Sequence, residues 1–128
     1  IQDALKKGVV ICDRYVPSTV AYHSAKLSGK KAADFVRYVE DVAYRRLRLP
    51  KPSLVIYVHV PVAEAQKLTR TRKRRRDQHE KDAAYQKRVA AMYAALCKRP
   101  NWKSITCVED GAMRSPEAIH AEIAKLTR

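Results

Sequence analysis

Three short apolar runs, separated by segments long enough to cross a sheet, constrain this chain more than any other feature. They are residues 9–12 (VVIC), 53–60 (SLVIYVHV) and 104–108 (SITCV). Each is continuous and rich in β-branched residues, as strands buried on both faces read. Between the first two lies a helical period. Ala32, Phe35, Val36, Val39, Val42, Ala43 and Leu47 recur at three- and four-residue spacings across 30–49, and Pro50-Lys51-Pro52 ends the helix. Between the second and third runs, Pro61 opens a short helix into Leu68. A longer helix over 81–98 carries Tyr85, Val89, Met92, Tyr93 and Leu96 on one face. Ser115-Pro116-Glu117 starts the last helix, with Ser as cap and Pro in the first turn; Ile119, Ile123 and Leu126 line it. Strands alternating with helices predict an α/β fold with a parallel sheet. Three strands are few for a sheet that must cover both faces and its edges, so the architecture reads as incomplete.

The chain has 128 residues, enough for one domain. Its 46% hydrophobic content supplies a core and argues against a disordered basic tail. No apolar run approaches the ~20 residues of a membrane span, so no membrane partner is expected. Residues 1–8 carry Asp3, Lys6 and Lys7 and do not read as a signal peptide. Cys12, Cys97 and Cys107 form no CxxC pair, and an odd count suits a reducing compartment; a cytoplasmic location is expected. Lys and Arg number 27 against 13 acidic residues, a net charge of +14 that calls for an anionic partner, nucleic acid or nucleotide phosphate. Only Gly8, Gly29 and Gly111 are glycines, which excludes a glycine-rich phosphate loop within the chain. Ser28-Gly29-Lys30-Lys31 imitates the end of one. The pattern G-x-x-x-x-G-K-[ST] would need Gly at 24 and Ser or Thr at 31, where Ser24 and Lys31 stand. The stretch reads as a helix start.

Two constellations can carry chemistry. Asp13-Arg14-Tyr15 follows the first run, where a strand's carboxyl end would meet ligand. Arg14 can grip a phosphate bidentately, and Asp13 can hold the Arg, bond a ligand or organise hydrated Mg²⁺. A structural Asp–Arg pair is the alternative, and spacing alone leaves both open. Ser18, Thr19 and Tyr22 follow, fit for a nucleoside, with Tyr22 able to stack on a base or pack near a sugar; the alternative is a helical first turn capped by Ser18 with Tyr22 packed inward. The second constellation is the basic run Arg70, Arg72, Lys73, Arg74, Arg75 and Arg76, followed by Asp77 and Glu80. It reads as a nucleic-acid patch, as a lid neutralising a transferring phosphoryl group, or as a solvated charged segment. The trailing acids suit a lid better than a DNA patch. His23, His59, His79 and His120 show no metal-ligand spacing. His59 reads as structural, Cys12 and Cys107 as small residues in buried strands, and Trp102 as core.

Taken in order, these elements resemble the thymidylate kinase family. Residues 12–22 (CDRYVPSTVAY) are similar to its DRY-x-x-S-x-x-A-Y signature. Residues 49–56 (LPKPSLVI) are similar to its LPKPD-L-V-I strand entry, with Ser53 where Asp is usual. Arg76-Asp77-Gln78-His79-Glu80 through to Tyr93 resembles the end of the lid and its following helix, and Asn101-Trp102 fits the approach to the last strand. The resemblance implies a three-layer P-loop nucleotide kinase fold, and transfer of a phosphoryl group from ATP to thymidine monophosphate (dTMP) with Mg²⁺. It implies that Arg14 binds the acceptor phosphate, and that Asp13 acts at the transfer centre and on the metal-bound water. Ser18, Thr19 and Tyr22 would line the thymidine pocket. Arg70, Arg74 and Arg76, in a lid over about 67–80, would close on the phosphoryl group. It implies a homodimer, and makes nucleic acid the lesser partner. A basic α/β nucleic-acid module and a related deoxynucleotide kinase are the rival readings.

Two departures stand out. His23 and Ser24 replace the usual Gln and Gly, which alters base contacts there. The family's P-loop lies upstream of the DRY segment. The implied strand order is 2-3-1-4-5, with residues 9–12, 54–60 and 104–108 as strands 3, 4 and 5. The chain is then expected to be a partial domain over 1–128, beginning at a truncation boundary, without its N-terminal strands and inactive in transfer by itself.

Overall fold

The computed structural model describes residues 1–71 and 82–127, with backbone alone for 69–71. The chain divides into two units, Ile1–Ser53 and Leu54–Arg128. No helix among the described residues is long and apolar enough to cross a membrane.

The first unit is helical. A single turn, α1 (Gln2–Leu5), precedes α2 (Val16–Ser24) and α3 (Gly29–Glu40), which continues directly into a π-helical turn, Asp41–Arg46. Tyr15 is the N-cap residue of α2, and Pro17 sits in its first turn, where a missing N–H costs nothing. Ser18 lies inside the helix and does not cap it. Val20, Ala21, Ser24 and Ala25 are buried, and they seat α2 against α3. The buried Ser24 hydroxyl donates to the Val20 carbonyl one turn back, so its polarity is satisfied internally. Ser28 is the N-cap residue of α3, and Gly29 takes φ +53, a conformation that suits glycine. The helix start expected at this phosphate-loop look-alike is therefore present.

The π turn widens the helix. Leu47 N–H donates to the Val42 carbonyl five residues back, and the Asp41 carboxylate accepts from Arg45 and from Arg46, four and five residues on. Arg48 then turns left-handed at φ 52, and Pro50 prevents further helix.

The second unit holds the sheet. Strand β1 (Val55–His59) pairs in parallel with β2 (Trp102–Thr106), in a register from Val55 opposite Trp102 to His59 opposite Thr106. Between them run α4 (Val62–Thr71) and α5 (Ala83–Leu96). Asp82 caps α5, accepting the Tyr85 N–H at 2.9 Å. Tyr85, Val89 and Leu96 are buried, and Tyr93 stacks on Tyr57 of β1 at 4.3 Å. Trp102 is buried beside them. Ile105, on the opposite face of β2, is 1% exposed. A short hairpin, β3 (Val108–Glu109) and β4 (Ala112–Met113), leads to α6 (Pro116–Leu126), which packs along β2. Ser115 caps α6 as expected, accepting the Ala118 N–H. Arg114 joins the parts: it donates to the Thr106 carbonyl and to the Glu122 carboxylate, both at 2.7 Å.

Two expectations need correction. Residues 9–12 form no strand; Val9 is 92% and Ile11 88% exposed. An apolar run becomes a strand only where a ladder partner satisfies its backbone, and none is present among the described residues. Cys12 is consequently exposed, not buried. The third strand also starts earlier than expected, at Trp102, and breaks at Cys107, whose N–H donates to the His59 carbonyl and whose own carbonyl accepts from Arg114. Of the three-layer fold, a two-stranded parallel ladder is observed, with Tyr93 of α5 on one face and Ile105 on the other.

Candidate functional site

The turn from residue 13 into α2 gathers the predicted acceptor residues. Arg14 occupies the left-handed region at φ 66, where an L side chain crowds its own backbone at a cost of roughly 1–2 kcal/mol. Tyr15 is extended, and its carbonyl accepts the Ser18 N–H at 2.9 Å. Its hydroxyl donates to the Pro50 carbonyl at 3.1 Å, tying the turn to the segment after the π helix. Burial first, and the neighbouring Cys12 second, push the Tyr15 phenol pKa up, so it stays a donor at neutral pH.

Helical spacing sorts the next residues. Ser18 and Tyr22, one turn apart, are half-buried; Thr19 and His23, also one turn apart, are exposed; Val20, Ala21 and Ser24 point inward. The Arg14 guanidinium lies 5.2 Å from the centre of the Tyr22 ring, a cation–π distance. His23 leans on Phe35 of α3 at 6.3 Å.

Asp13 and Arg14 are both exposed, and among the described residues neither makes an ion pair. The structural Asp–Arg pair is therefore not what occupies this turn. A carboxylate and a guanidinium stand side by side in sequence with their charges unspent, at the mouth of a helix bearing hydroxyls. Such a set can take a phosphate monoester on the arginine. Asp13 alone suits Mg²⁺, an ion that keeps most of its waters and leans on one or two carboxylates plus substrate phosphates. Among the described residues no group of three or more His, Cys, Asp or Glu could hold a metal.

The lid residues are placed differently. Arg70 lies in α4, with its backbone alone described. Arg72, Lys73, Arg74, Arg75, Arg76, Asp77, His79 and Glu80 lie outside the described residues. His59 belongs to the second unit, where its Nδ1 lies 3.0 Å from the Tyr57 hydroxyl. Cys97 and Cys107 have thiol pKa values raised by burial and remain protonated, small apolar groups. Sequence reasoning missed two partners: the Pro50 carbonyl under Tyr15, and the ring of Tyr22 under Arg14. Neither the left-handed conformation of Arg14 nor its contact with Tyr22 leaves a signal in residue type.

A family model described as thymidylate kinase matches residues 1–123. The chain belongs to the thymidylate kinase family. It is also 39% identical over 93 residues to thymidylate kinase from Mycobacterium tuberculosis, in both the CDC 1551 and H37Rv strains. Those alignments cover 69% of this chain and 44% of each relative, so the chain spans less than half the length of the curated relatives it matches.

Proposed function

We propose that this chain carries the acceptor side of a nucleoside monophosphate kinase: it holds dTMP while a phosphoryl group passes to it from ATP, giving dTDP and ADP. Arg14 binds the acceptor phosphate. Asp13 orients the acceptor oxygen and a water of the Mg²⁺ that travels with ATP. Ser18, Thr19 and Tyr22 border the nucleoside, and Arg70, Arg74 and Arg76 neutralise charge on the moving phosphoryl group. Phosphoryl transfer asks for positioning and charge neutralisation more than covalent chemistry, and this equipment suits it. The reaction belongs to the cytoplasm, and the protein to a homodimer, on the same reading. The observation that carries it is the exposed Asp13–Arg14 step at the entry to α2, which makes no ion pair among the described residues.

Calorimetric titration tests it. Saturable dTMP binding, weakened roughly 10- to 150-fold by Arg14→Ala, is expected, with no ATP turnover by a chain that has no glycine-rich loop. Affinity for DNA or RNA that falls steeply with salt and ignores Arg14→Ala would instead support the nucleic-acid module. A panel of nucleoside monophosphates separates dTMP from the other bases.

A further inference from the structure

We infer that the π turn at the end of α3 is a second anion site, whose paired guanidiniums take an oligophosphate chain, free or carried by a nucleoside. The site uses none of the residues of the proposed acceptor site and stands apart from that reading.

The geometry of the turn makes the pair. In an α-helix a side chain five residues on points about 140° away from the first, so one carboxylate cannot gather the residues four and five ahead. The π turn Asp41–Arg46 brings both to one side. Each Asp41 oxygen accepts from a different arginine: Oδ1 from Arg45 Nε, and Oδ2 from Arg46 Nε at 2.9 Å. Each guanidinium is thus anchored through its Nε–H. The terminal amino groups make no hydrogen bond among the described residues, and the two side chains are 76% and 65% exposed. The two terminal groups of a guanidinium match two oxygens of a phosphoryl group.

Two more cations follow. Arg48 is exposed and makes no ion pair among the described residues. Its backbone sits at φ 52, and its carbonyl accepts from Gln2 Nε2 at 3.0 Å. Lys51 is exposed, with Nζ 5.8 Å from the centre of the Tyr44 ring. Residues 40–51 hold Arg45, Arg46, Arg48 and Lys51 against Glu40 and Asp41, and Asp41 is the anchor.

This arrangement favours a short run of phosphates. One guanidinium fork fills one phosphate, so two forks on a single carboxylate address neighbouring phosphoryl groups. Anchoring before binding also lowers the ordering cost. A nucleic-acid backbone asks for cations that track its length; these gather at one helix end, with Leu47 64% exposed among them.

NMR of the arginine Nε–H groups in the full chain tests the site. Without ligand, the Arg45 and Arg46 Nε–H signals are expected to exchange slowly with water, and to lose that protection in Asp41→Asn. Tripolyphosphate, added at constant ionic strength, is expected to shift both signals saturably, in wild type and in Arg14→Ala alike, and to bind more tightly than orthophosphate. Arg45→Lys and Arg46→Lys keep the charge and lose the fork; each is expected to weaken tripolyphosphate about 2- to 5-fold, the span of an exposed charge pair, and to leave dTMP binding unchanged. ATP bound more tightly than tripolyphosphate supports the site with a nucleoside polyphosphate as its ligand; equal affinity supports it with the bare chain. Lysine variants that bind tripolyphosphate as wild type does, or orthophosphate bound as tightly, overturn the site, since charge alone is then at work. A single-stranded DNA oligonucleotide bound more tightly than tripolyphosphate, with shifts spread beyond residues 40–51, overturns it in favour of a nucleic-acid surface. Loss of the acceptor reading shows separately, as absent dTMP binding with the tripolyphosphate response intact.

Discussion

Arg14 carries two opposed demands, and a pair of substitutions separates them. Arg14→Ala and Arg14→Gly remove the same guanidinium, the same contact with Tyr22 and the same charge. They differ in how they tolerate φ 66. Alanine keeps the left-handed penalty of roughly 1–2 kcal/mol. Glycine avoids it but gains unfolded-state freedom worth about 0.4–1 kcal/mol. The Gly variant is therefore expected to be more stable than the Ala variant by about 0.5–1 kcal/mol, or roughly 2–5 °C in melting temperature for a chain of this length. Far-UV circular dichroism during urea and thermal unfolding measures it, since the residue lies in a helical unit. Ligand binding should not distinguish the two. Both lose charge-assisted hydrogen bonds worth about 1.5–3 kcal/mol, a fall of roughly 10- to 150-fold in dTMP affinity. If the Ala variant equals or exceeds the Gly variant in stability, Arg14 does not pay for its placement with backbone strain. If either variant binds dTMP as wild type does, the guanidinium is not the phosphate ligand.

Other expectations concern the supports of the site and fold. Ile105→Ala empties a position that is 1% exposed and should cost about 2–5 kcal/mol in urea unfolding. Asp82→Ala removes the α5 cap and should cost about 0.5–2 kcal/mol, with the lost protection in hydrogen exchange confined to the first turn of α5. Hydrogen bonds from Arg45 and then Arg46 hold the Asp41 carboxyl pKa below its ordinary value. Its folded pKa being the lower one, the unfolded chain binds the proton more readily. The stabilisation is thus present above the ordinary carboxylate range and is lost as pH falls through the folded value. Unfolding midpoints from pH 7 down to pH 3 should fall less steeply for Asp41→Asn than for wild type.

What the sequence made legible follows from periodicity. The face of α5 that carries Tyr85, Val89 and Leu96, the Ser115 cap and the buried Trp102 are local patterns, and the structure has them. The strand expected at 9–12 failed because an apolar run reports a capacity for burial and says nothing of a ladder partner. The helix expected through Leu47 failed for another reason. Its period runs unbroken in sequence, yet the π turn at Asp41–Arg46 shifts the phase, and Leu47 emerges 64% exposed. In the candidate site, type and spacing left Asp13, Arg14, Ser18, Thr19 and Tyr22 open between ligand and structural roles, and the resemblance to the family set them together as a proposed acceptor site. That Arg14 rests on Tyr22, and has no acidic partner among the described residues, is a matter of three-dimensional placement that no residue type announces.

The parallel pairing of Val55 with Trp102 has a kinetic consequence. No hydrogen bond of that ladder can form until a crossover of several dozen residues has closed, and chain closure of that span slows folding through entropy. The contacts between α2 and α3 join near neighbours and face no such delay. The second unit should therefore form after the first, and Trp102, the sole tryptophan, sits in the late-forming ladder. Its fluorescence should lag the helical circular dichroism signal during refolding.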